Sequence, residues 1–251
     1  MTLLPTFLGI GSARSGTTSL YKLLDDHPDV FMANPKELHY FTFRHPQVVG
    51  NKGMSQQQYE AHFQGAGNAI ARGEISPSYM WFPGAADRIK AELGILPLLV
   101  MLRNPIERVC SGYGRVLKIG KTSSSFQNFI NEGMEGLQRK EQSFDNHHPA
   151  LLLQKSFYYQ SLKYYIELFG RKNIHWFLFE NMVNDFPSFR RGVFDVINVE
   201  DRPSTPLPHV NASGLNEKMG LSEQRMLREI FRHDIELTAE LLDADLEHWL
   251  V

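Results

Sequence analysis

Cysteine, long apolar runs and a charged leader are scarce or missing in this chain of 251 residues. Cys110 is the only cysteine, which excludes a disulfide framework and a thiolate metal cluster. No stretch approaches the roughly 18 apolar residues of a membrane span. No charged segment precedes the first predicted strand, which begins near Pro5, so we expect no cleavable signal peptide. From these absences we expect a soluble, cytoplasmic protein.

The chain also carries little net charge. Lys and Arg number 26 against 28 Asp and Glu, a formal net charge of −2. Proteins that bind nucleic acid by neutralising phosphates are basic, so this balance argues against a nucleic-acid partner and leaves room only for a local basic pocket. The length suffices for one large domain, and no repeat or linker divides the chain. We therefore expect residues 1–251 to form a single domain.

A strand, a loop of small residues and a helix are present near the start. Residues 7–10 (FLGI) are typical of a buried strand, and residues 19–24 begin a helical pattern. The loop between them reads G-x-x-x-x-G-T-T from Gly11. Glycine lets the backbone approach a ligand, and a helix N-terminus carries about half a positive charge, so this pattern predicts a phosphate cradle. A strand-to-helix turn without a ligand has the same pattern.

The loop lacks the lysine of the nucleotide-triphosphate loop G-x-x-x-x-G-K-[ST]. Thr17 stands at that position, and the one cation in the loop is Arg14. Because the missing lysine is the group that reaches the β- and γ-phosphates, its absence argues against ATPase chemistry. A P-loop nucleotide kinase or hydrolase, and a catalytically silent nucleotide-binding protein, are kept as alternatives.

A second strand-to-helix junction follows residues 97–102 (PLLVML), an apolar run typical of a buried parallel strand. Arg103 comes next, and Asn104 and Pro105 are good first residues for a helix. Ligands of open α/β sheets lie outside the carboxyl ends of the strands, so we expect Arg103 to face the first loop. Ser111, two turns into the helix, either offers a hydroxyl to the same anion or bonds to its own backbone.

Strands and helices alternate along the rest of the chain. Further strands are predicted at residues 30–32, 69–75 and 174–179, and further helices at residues 55–63, 84–93, 126–139, 151–169, 186–199 and 221–250. Residues 201–220 are predicted to be a loop. This order predicts an α/β fold, a P-loop-type three-layer domain with a central parallel sheet flanked by helices.

Residues 35–41 (PKELHYF) bring together a cation, a carboxylate and an imidazole. A solvated turn anchored by two aromatic side chains is the simpler interpretation of this segment taken alone. The functional interpretation is a general base, with Glu37 as first choice and His39 as second. An imidazole titrates nearer to neutrality than a carboxyl group does, but a carboxylate also serves if neighbouring aromatic side chains desolvate it.

Taken together, these segments resemble the sulfotransferase family that uses 3′-phosphoadenosine-5′-phosphosulfate (PAPS). Residues 11–20 (GSARSGTTSL) are similar to its 5′-phosphosulfate loop, residues 103–113 (RNPIERVCSGY) to its 3′-phosphate motif, and residues 35–41 to the base segment of its heparan-type and bacterial branches. Residues 73–79 (GEISPSY) and 179–182 (FENM) are further matches. The resemblance covers nearly the whole chain.

The resemblance implies in-line transfer of a sulfuryl group from PAPS to a hydroxyl or amine, with a Glu/His general base, no metal, and 3′,5′-adenosine bisphosphate as product. The catalytic residues that it implies are Glu37, His39, Arg14 and Lys36. The cofactor-binding residues that it implies are Arg14, Ser15, Gly16, Thr17, Thr18, Ser19, Arg103, Ser111, Phe179 and Lys218. Trp81 is a second candidate, beside Phe179, for a flat face against adenine, although a place in the core explains each of these aromatic residues better.

Two positions depart from the family pattern. Arg14 stands where the loop usually has lysine, and it supplies fixed charge with a different donor geometry. Ile75 stands where heparan 3-O-sulfotransferases have a lysine that helps to hold the acidic polysaccharide. The second departure weakens the case for a heparan-like acceptor. The resemblance implies a small molecule or a carbohydrate as acceptor and leaves its identity, like the oligomeric state, open.

Overall fold

The computed structural model describes residues 3–43, 53–141, 143–202 and 219–251. The chain divides into two compact units, Met1–Arg103 with Tyr164–Val210 and Asn104–Lys163 with Asn211–Val251. Because the division follows contacts within each unit, we describe the two units separately. The single domain expected for residues 1–251 stays a prediction.

The first unit is built on a five-stranded parallel sheet. Its strands are β1 (Phe7–Gly11), β2 (Val30–Met32), β3 (Ala71–Ile75), β4 (Leu98–Leu102) and β5 (Ile174–Leu178). They lie in the order β2-β3-β1-β4-β5, and every neighbouring pair is parallel. The predicted α/β fold with a central parallel sheet is confirmed.

Both faces of this sheet are covered. All five residues of β1 and of β4 are buried, so side chains pointing to either face are out of solvent, as the continuous apolar runs predict for strands buried on both sides. Close packing requires glycine at position 73 of β3, because a Cβ at Gly73 would lie 2.2 Å from the ring of Phe7 on the paired strand.

Helices on the first unit bury their apolar stripes. They are α1 (Thr17–Asp25), α2 (Tyr40–Phe43), α3 (Gln56–Ala61), α4 (Ala85–Leu93), α9 (Phe179–Asn184), α10 (Phe186–Val196) and the last part of α8 (Tyr159–Phe169). A core cluster joins Leu20, Leu23 and Leu24 of α1 to Phe189 and Val193 of α10 and to the strands. These contacts hold α1, and with it the loop before it, against the sheet.

The second unit is helical in its described residues. Its helices are α5 (Pro105–Lys118), α6 (Phe126–Gln138), α7 (Pro149–Gln154), the first part of α8, and α11 (Leu221–Leu242). Asn104 caps α5 as predicted, since its side chain accepts a hydrogen bond from the N–H of Ile106 at 3.0 Å, and Pro105 opens the helix.

The prediction of one helix over residues 151–169 is wrong. The chain forms two helices instead, α7 and α8. Tyr158 lies between them and Tyr159 begins α8, and their N–H groups donate to the carboxylate of Asp234 at 2.7 Å and 3.2 Å. A helix interior would need those N–H groups for its own i→i−4 bonds. The predicted helix 221–250 is also shorter, since α11 ends at Leu242 and Asp243 adopts a left-handed conformation with φ 50°.

Candidate active site

The predicted site residues of the first unit follow the carboxyl ends of its parallel strands. The first loop (residues 12–16) follows β1, the base segment (residues 35–41) follows β2, and a turn that we call the β3 turn (residues 76–80) follows β3. Arg103 follows β4, and Phe179 follows β5. Parallel strands end at the same edge, and this edge is where open α/β sheets bind ligands. The topology therefore brings these residues to one side of the sheet.

The first loop is tied to the sheet at its base and open at its tip. The N–H of Ser12 donates to the carbonyl of Met101 at 2.6 Å, and the hydroxyls of Ser12 and Ser15 lie 2.7 Å apart. Arg14 at the tip has φ 71° and is half-buried. The loop therefore has a fixed course that presents Arg14 between two strand ends.

The predicted phosphate contacts of α1 differ in exposure. Ser15, Thr17 and Ser19 are buried, with exposed fractions of 0%, 5% and 6%, whereas Thr18 is exposed. The first N–H groups of a helix lack partners within the helix, and the positive end of the helix dipole lies there. Backbone N–H groups and the hydroxyl of Thr18 are thus the groups best placed to meet an anion at this helix end.

Gly16 marks a close approach between the first loop and the segment after β5. It caps α1 in a left-handed conformation with φ 85°, and a Cβ there would lie 2.8 Å from Cε of Met182 and 2.9 Å from the ring of Phe179. Glycine keeps this space open. A side chain at Gly16 would displace the aromatic ring that the sequence predicts to face adenine.

Arg103 joins the same group of residues. Its Nη1 donates to the carbonyl oxygen of Arg14 at 3.5 Å, and its guanidinium carbon lies 4.5 Å from the centre of the Phe179 ring. A guanidinium over an aromatic face is held in one orientation by cation–π attraction. The predicted proximity of Arg103 to the first loop is thereby confirmed by direct contact.

The base segment holds its carboxylate between two nitrogen groups. Glu37 forms an ion pair through Oε1 with Nζ of Lys36, and its Oε2 lies 3.4 Å from Nε2 of His39. Burial raises the pKa of Glu37, but the contact with His39 and the charge of Lys36 outweigh burial and lower the pKa to about 2. Glu37 is therefore ionised at neutral pH, and its side chain is 41% exposed.

The β3 turn holds His39 at two points. The N–H of His39 donates to Oγ of Ser76 at 3.0 Å, and Nδ1 of its ring lies 2.7 Å from Oγ of Ser78. The turn is itself fixed to β1, because the N–H groups of Ser76 and Met80 donate to carbonyls of that strand at 2.9 Å and 2.8 Å. The base segment and the first loop are thus tied to one framework.

A buried carboxylate beneath the turn was missed by the sequence-based reasoning. Glu74, 1% exposed, accepts hydrogen bonds from the hydroxyls of Tyr79 at 2.6 Å, Ser76 at 2.7 Å and Tyr59 at 3.2 Å. Burial raises the pKa of Glu74, and these hydrogen bonds oppose that effect. The sequence signal that could have found it is a carboxylate beside apolar residues near the end of a predicted strand, since such a group needs partners when buried.

Three further candidates remain predictions as members of this group. Ser111 is buried in α5 of the second unit, so its pairing with Arg103 stays a prediction. Lys218 lies outside the described residues. Trp81 is half-buried, and its ring centre lies 5.4 Å from that of Phe82, whereas Phe179 is the predicted adenine face that lies beside Gly16 of the first loop.

Sequence comparison relates the chain to sulfotransferases. The membrane-associated sulfotransferase kil1 of Dictyostelium discoideum is 33% identical over 44% of this chain and 22% of that protein. Carbohydrate sulfotransferase 15 of Homo sapiens is 27% identical over 53% of this chain and 31% of that protein. The matched region thus spans less than a third of either relative. No model of a known protein family matches the sequence.

Solved sulfotransferases share the fold. A sulfotransferase from Alicyclobacillus acidocaldarius matches with a TM-score of 0.82 at 24% identity, over 98% of this chain and 99% of that one. The sulfotransferase domain of the Synechococcus PCC 7002 olefin synthase matches with a TM-score of 0.58 at 17% identity, over 97% and 96%. The fold is that of an α/β protein whose predicted site residues follow the carboxyl ends of parallel strands. The chain is similar in sequence and in fold to sulfotransferases, the family that its motifs resemble.

None of the helices in the described part of the chain has the length and apolar composition that a membrane span requires. Nor do three or more His, Cys, Asp or Glu side chains come together in the described residues as a group that could hold a metal ion.

Proposed function

We propose that this chain transfers a sulfuryl group from PAPS to a hydroxyl or amine of an acceptor. The observation that carries the proposal is the contact of Arg103 with both the Arg14 carbonyl and the Phe179 ring. Two arginines and a flat aromatic face at the edge of a parallel sheet suit a nucleotide with phosphates at both ends. The relationship to sulfotransferases supports the same activity.

The residues of the first loop fit the 5′ end of such a donor. The side chain of Arg14, the N–H groups at the start of α1 and the exposed hydroxyl of Thr18 would hold its negative charge. Gly16 keeps the space beside Phe179 free of a Cβ. Arg14 thus takes the role that lysine usually has, with several donors in a planar group.

When bound, PAPS supplies a sulfuryl group on a good leaving group and a 3′-phosphate that ATP lacks. We assign Arg103 and Ser111 to that 3′-phosphate, with Lys218 as a further candidate. Because the leaving group is already good, the proposed reaction uses no metal ion. The task of the protein is then to align the reactants and to neutralise charge.

We assign to the base segment the removal of the proton from the acceptor. Glu37 is ionised at neutral pH and its side chain is 41% exposed, so its carboxylate is open to a hydroxyl group. Lys36, already paired with Glu37, is proposed to turn to the sulfuryl oxygens when they arrive. Losing this pairing would raise the pKa of Glu37 from about 2 toward its ordinary value and make it a better base at the moment of transfer.

Carbohydrates are the acceptor class that we favour. One relative is a carbohydrate sulfotransferase by name, and a sugar offers hydroxyl groups of the kind the reaction needs. Within this class we favour neutral sugars, because Ile75 replaces a lysine that contacts acidic polysaccharide in heparan 3-O-sulfotransferases and is 0% exposed. This position therefore offers no charge to an acidic chain.

Ligand binding separates this proposal from its alternatives. We expect 3′,5′-adenosine bisphosphate to raise the melting temperature without added metal and to do so more than magnesium-ATP at the same concentration, because binding to the folded state stabilises it by mass action. Preference for magnesium-ATP would favour a P-loop kinase or hydrolase. Binding of the bisphosphate without transfer of labelled sulfate from PAPS to any member of an acceptor panel would favour a catalytically silent binding protein.

A further inference from the structure

The ring of His39 touches a partner at each nitrogen, and these partners fix where its proton lies. Nε2 lies 3.4 Å from the carboxylate of Glu37, and Nδ1 lies 2.7 Å from the hydroxyl of Ser78. Glu37 is ionised, so it accepts hydrogen bonds and donates none. In a neutral ring Nε2 must therefore carry the proton, and the lone pair is left on Nδ1.

Ser78 is then the donor in its contact with the ring. A hydroxyl donates or accepts as its surroundings require, and here the nitrogen that faces it carries a lone pair. We infer that Ser78 is a positioning residue, which holds His39 in the Nε2–H form and directs that N–H to Glu37. The inference rests on the proposed function for its kinetic consequence, and on geometry alone for the tautomer.

A second hydroxyl of the same turn fixes the backbone of His39. The proton of Ser76 is taken by Glu74, which accepts it at 2.7 Å, so the oxygen of Ser76 is left to accept the N–H of His39 at 3.0 Å. Glu74 is held in turn by Tyr79 and Tyr59. His39 has φ 55°, a conformation that a non-glycine residue adopts rarely and that this anchor maintains.

This arrangement decides which residue takes the acceptor proton. The lone pair of neutral His39 points at Ser78, whereas the carboxylate of Glu37 is partly exposed. The O–H bond of the acceptor breaks and an O–H bond forms on Glu37. The acceptor oxygen keeps the electron pair and forms its bond to sulfur as the bond from sulfur to the phosphate oxygen breaks, its electrons leaving with the phosphate. His39 orients the base and does not replace it.

Nitrogen NMR tests the tautomer without any substrate. In protein with 15N-labelled histidine at pH 8, the long-range 1H–15N spectrum, assigned by the signal lost in His39→Gln, should show a proton on Nε2 and a hydrogen-bonded lone pair on Nδ1. Ser78→Ala should move the Nδ1 signal toward that of an imidazole nitrogen with no hydrogen bond, and Ser78→Thr should restore it. A proton on Nδ1 in the unaltered protein, or no change in Ser78→Ala, overturns the inference.

Kinetics test the consequence. We expect Ser78→Ala to lower kcat about 10-fold with an unchanged KM for PAPS, as for loss of a group that orients another, and Ser78→Thr to recover most of it. Ser188→Ala, an exposed serine of α10, is the matched control and should behave as the unaltered protein. His39→Gln keeps an N–H donor and should retain more activity than Glu37→Gln.

Two outcomes separate this inference from the proposed function. Equal loss of activity in His39→Gln and Glu37→Gln would make His39 the base and overturn the inference, while the sulfotransferase proposal would stand. Failure of the unaltered protein to bind 3′,5′-adenosine bisphosphate or to transfer sulfate would overturn the proposed function. The NMR spectra would then still decide the role of Ser78, because they need no ligand.

Discussion

Glu37 is the residue whose surroundings bear most directly on the chemistry. Its carboxylate meets Lys36 and His39, and its pKa is lowered to about 2. The substitution Glu37→Gln keeps the shape of the side chain and removes its ability to take a proton. We expect kcat for sulfate transfer to fall by about 10²–10⁴-fold, the usual contribution of a general base.

Binding of the donor gives the control for this variant. Glu37 belongs to the segment after β2, whereas the contacts proposed for the bisphosphate come from the segments after β1, β4 and β5, from Ser111 of α5 and from Lys218. Isothermal titration with 3′,5′-adenosine bisphosphate should therefore give the same Kd for Glu37→Gln as for the unaltered protein. Near-normal transfer rates in Glu37→Gln would place the base elsewhere.

Sequence motifs pointed to the residues that we propose to act on the ligands, but not to the residues that hold them in place. Arg14, Glu37 and Arg103 lie in short motifs that carry the chemical signal themselves. Ser78 and Glu74 matter because β3 pairs with β2 and so brings the β3 turn beside His39. Ser78 lies some 40 residues from His39 along the chain, and no local sequence pattern predicts their contact, because strand pairing is non-local.

At the scale of elements, the turn from β1 into α1 combines a backbone and a packing requirement. In Gly16→Ala the new Cβ would meet the ring of Phe179 and Cε of Met182, in addition to the left-handed strain at φ 85°. We expect the free energy of unfolding to drop by about 1–3 kcal/mol and binding of 3′,5′-adenosine bisphosphate to be lost. Urea unfolding and isothermal titration measure the two effects.

Gly84→Ala is the matched control for Gly16→Ala. Gly84 also caps a helix, α4, with φ 71° and ψ 5° against φ 85° and ψ 10° at Gly16. The atom nearest to its new Cβ is the flexible end of Arg88. The backbone strain is therefore similar, and ligand binding should be kept. Equal loss of binding in both variants would mean that the space beside Phe179 is not part of the donor site.

Strand positions were predictable within about two residues because β-strand patterns are local, but the break between α7 and α8 was not. The apolar periodicity of residues 151–169 is continuous, but the carboxylate of Asp234, from α11, accepts the N–H groups of Tyr158 and Tyr159 and interrupts the helix. A tertiary hydrogen bond of this kind overrides helix propensity and leaves no sign in the segment that it interrupts.

A buried cation lies at that break. Lys155 follows α7, is 8% exposed, and donates from Nζ to Oδ1 of Asn146 at 2.5 Å. Burial and then the charge of Arg108 lower the pKa of Lys155 from 10.5 to about 7. Between these values the unfolded chain binds more protons than the folded one, so the free energy of unfolding rises with pH there.

Lys155→Met should remove this dependence. We expect the free energy of unfolding of the variant to exceed that of the unaltered protein by most below pH 7. This excess should shrink by about 1.4 kcal/mol per pH unit between about 7 and 10.5. Denaturant unfolding at pH 6, 8 and 10 measures it. Lys118→Met, an exposed lysine of α5, is the control and should show no such trend. A pH-independent difference for Lys155→Met would mean that Lys155 keeps its ordinary proton affinity in the folded state.

At the scale of the whole molecule, the sheet order explains how segments scattered along the chain come to lie at the same end of the parallel strands. The segments that follow the five strands lie between residues 12 and 179 of the chain, and parallel pairing places all of them at one edge of the sheet. The alternation of strands and helices predicted the parallel sheet. The order of the strands, which decides that the base segment lies next to the β3 turn, had no local signal in the sequence.

The charge of the whole chain bears on the acceptor. A net charge of −2 gives no general attraction to a polyanion, and Ile75 is buried where a polysaccharide-binding lysine stands in heparan 3-O-sulfotransferases. We expect neutral oligosaccharides to be sulfated with a higher kcat/KM than heparan oligosaccharides of equal length at low ionic strength. The difference in kcat/KM between the two acceptors should become smaller as the salt concentration rises, because salt screens the repulsion between the protein and the acidic oligosaccharide. Faster sulfation of heparan oligosaccharides, decreasing with salt, would instead reveal a basic surface that attracts the acceptor.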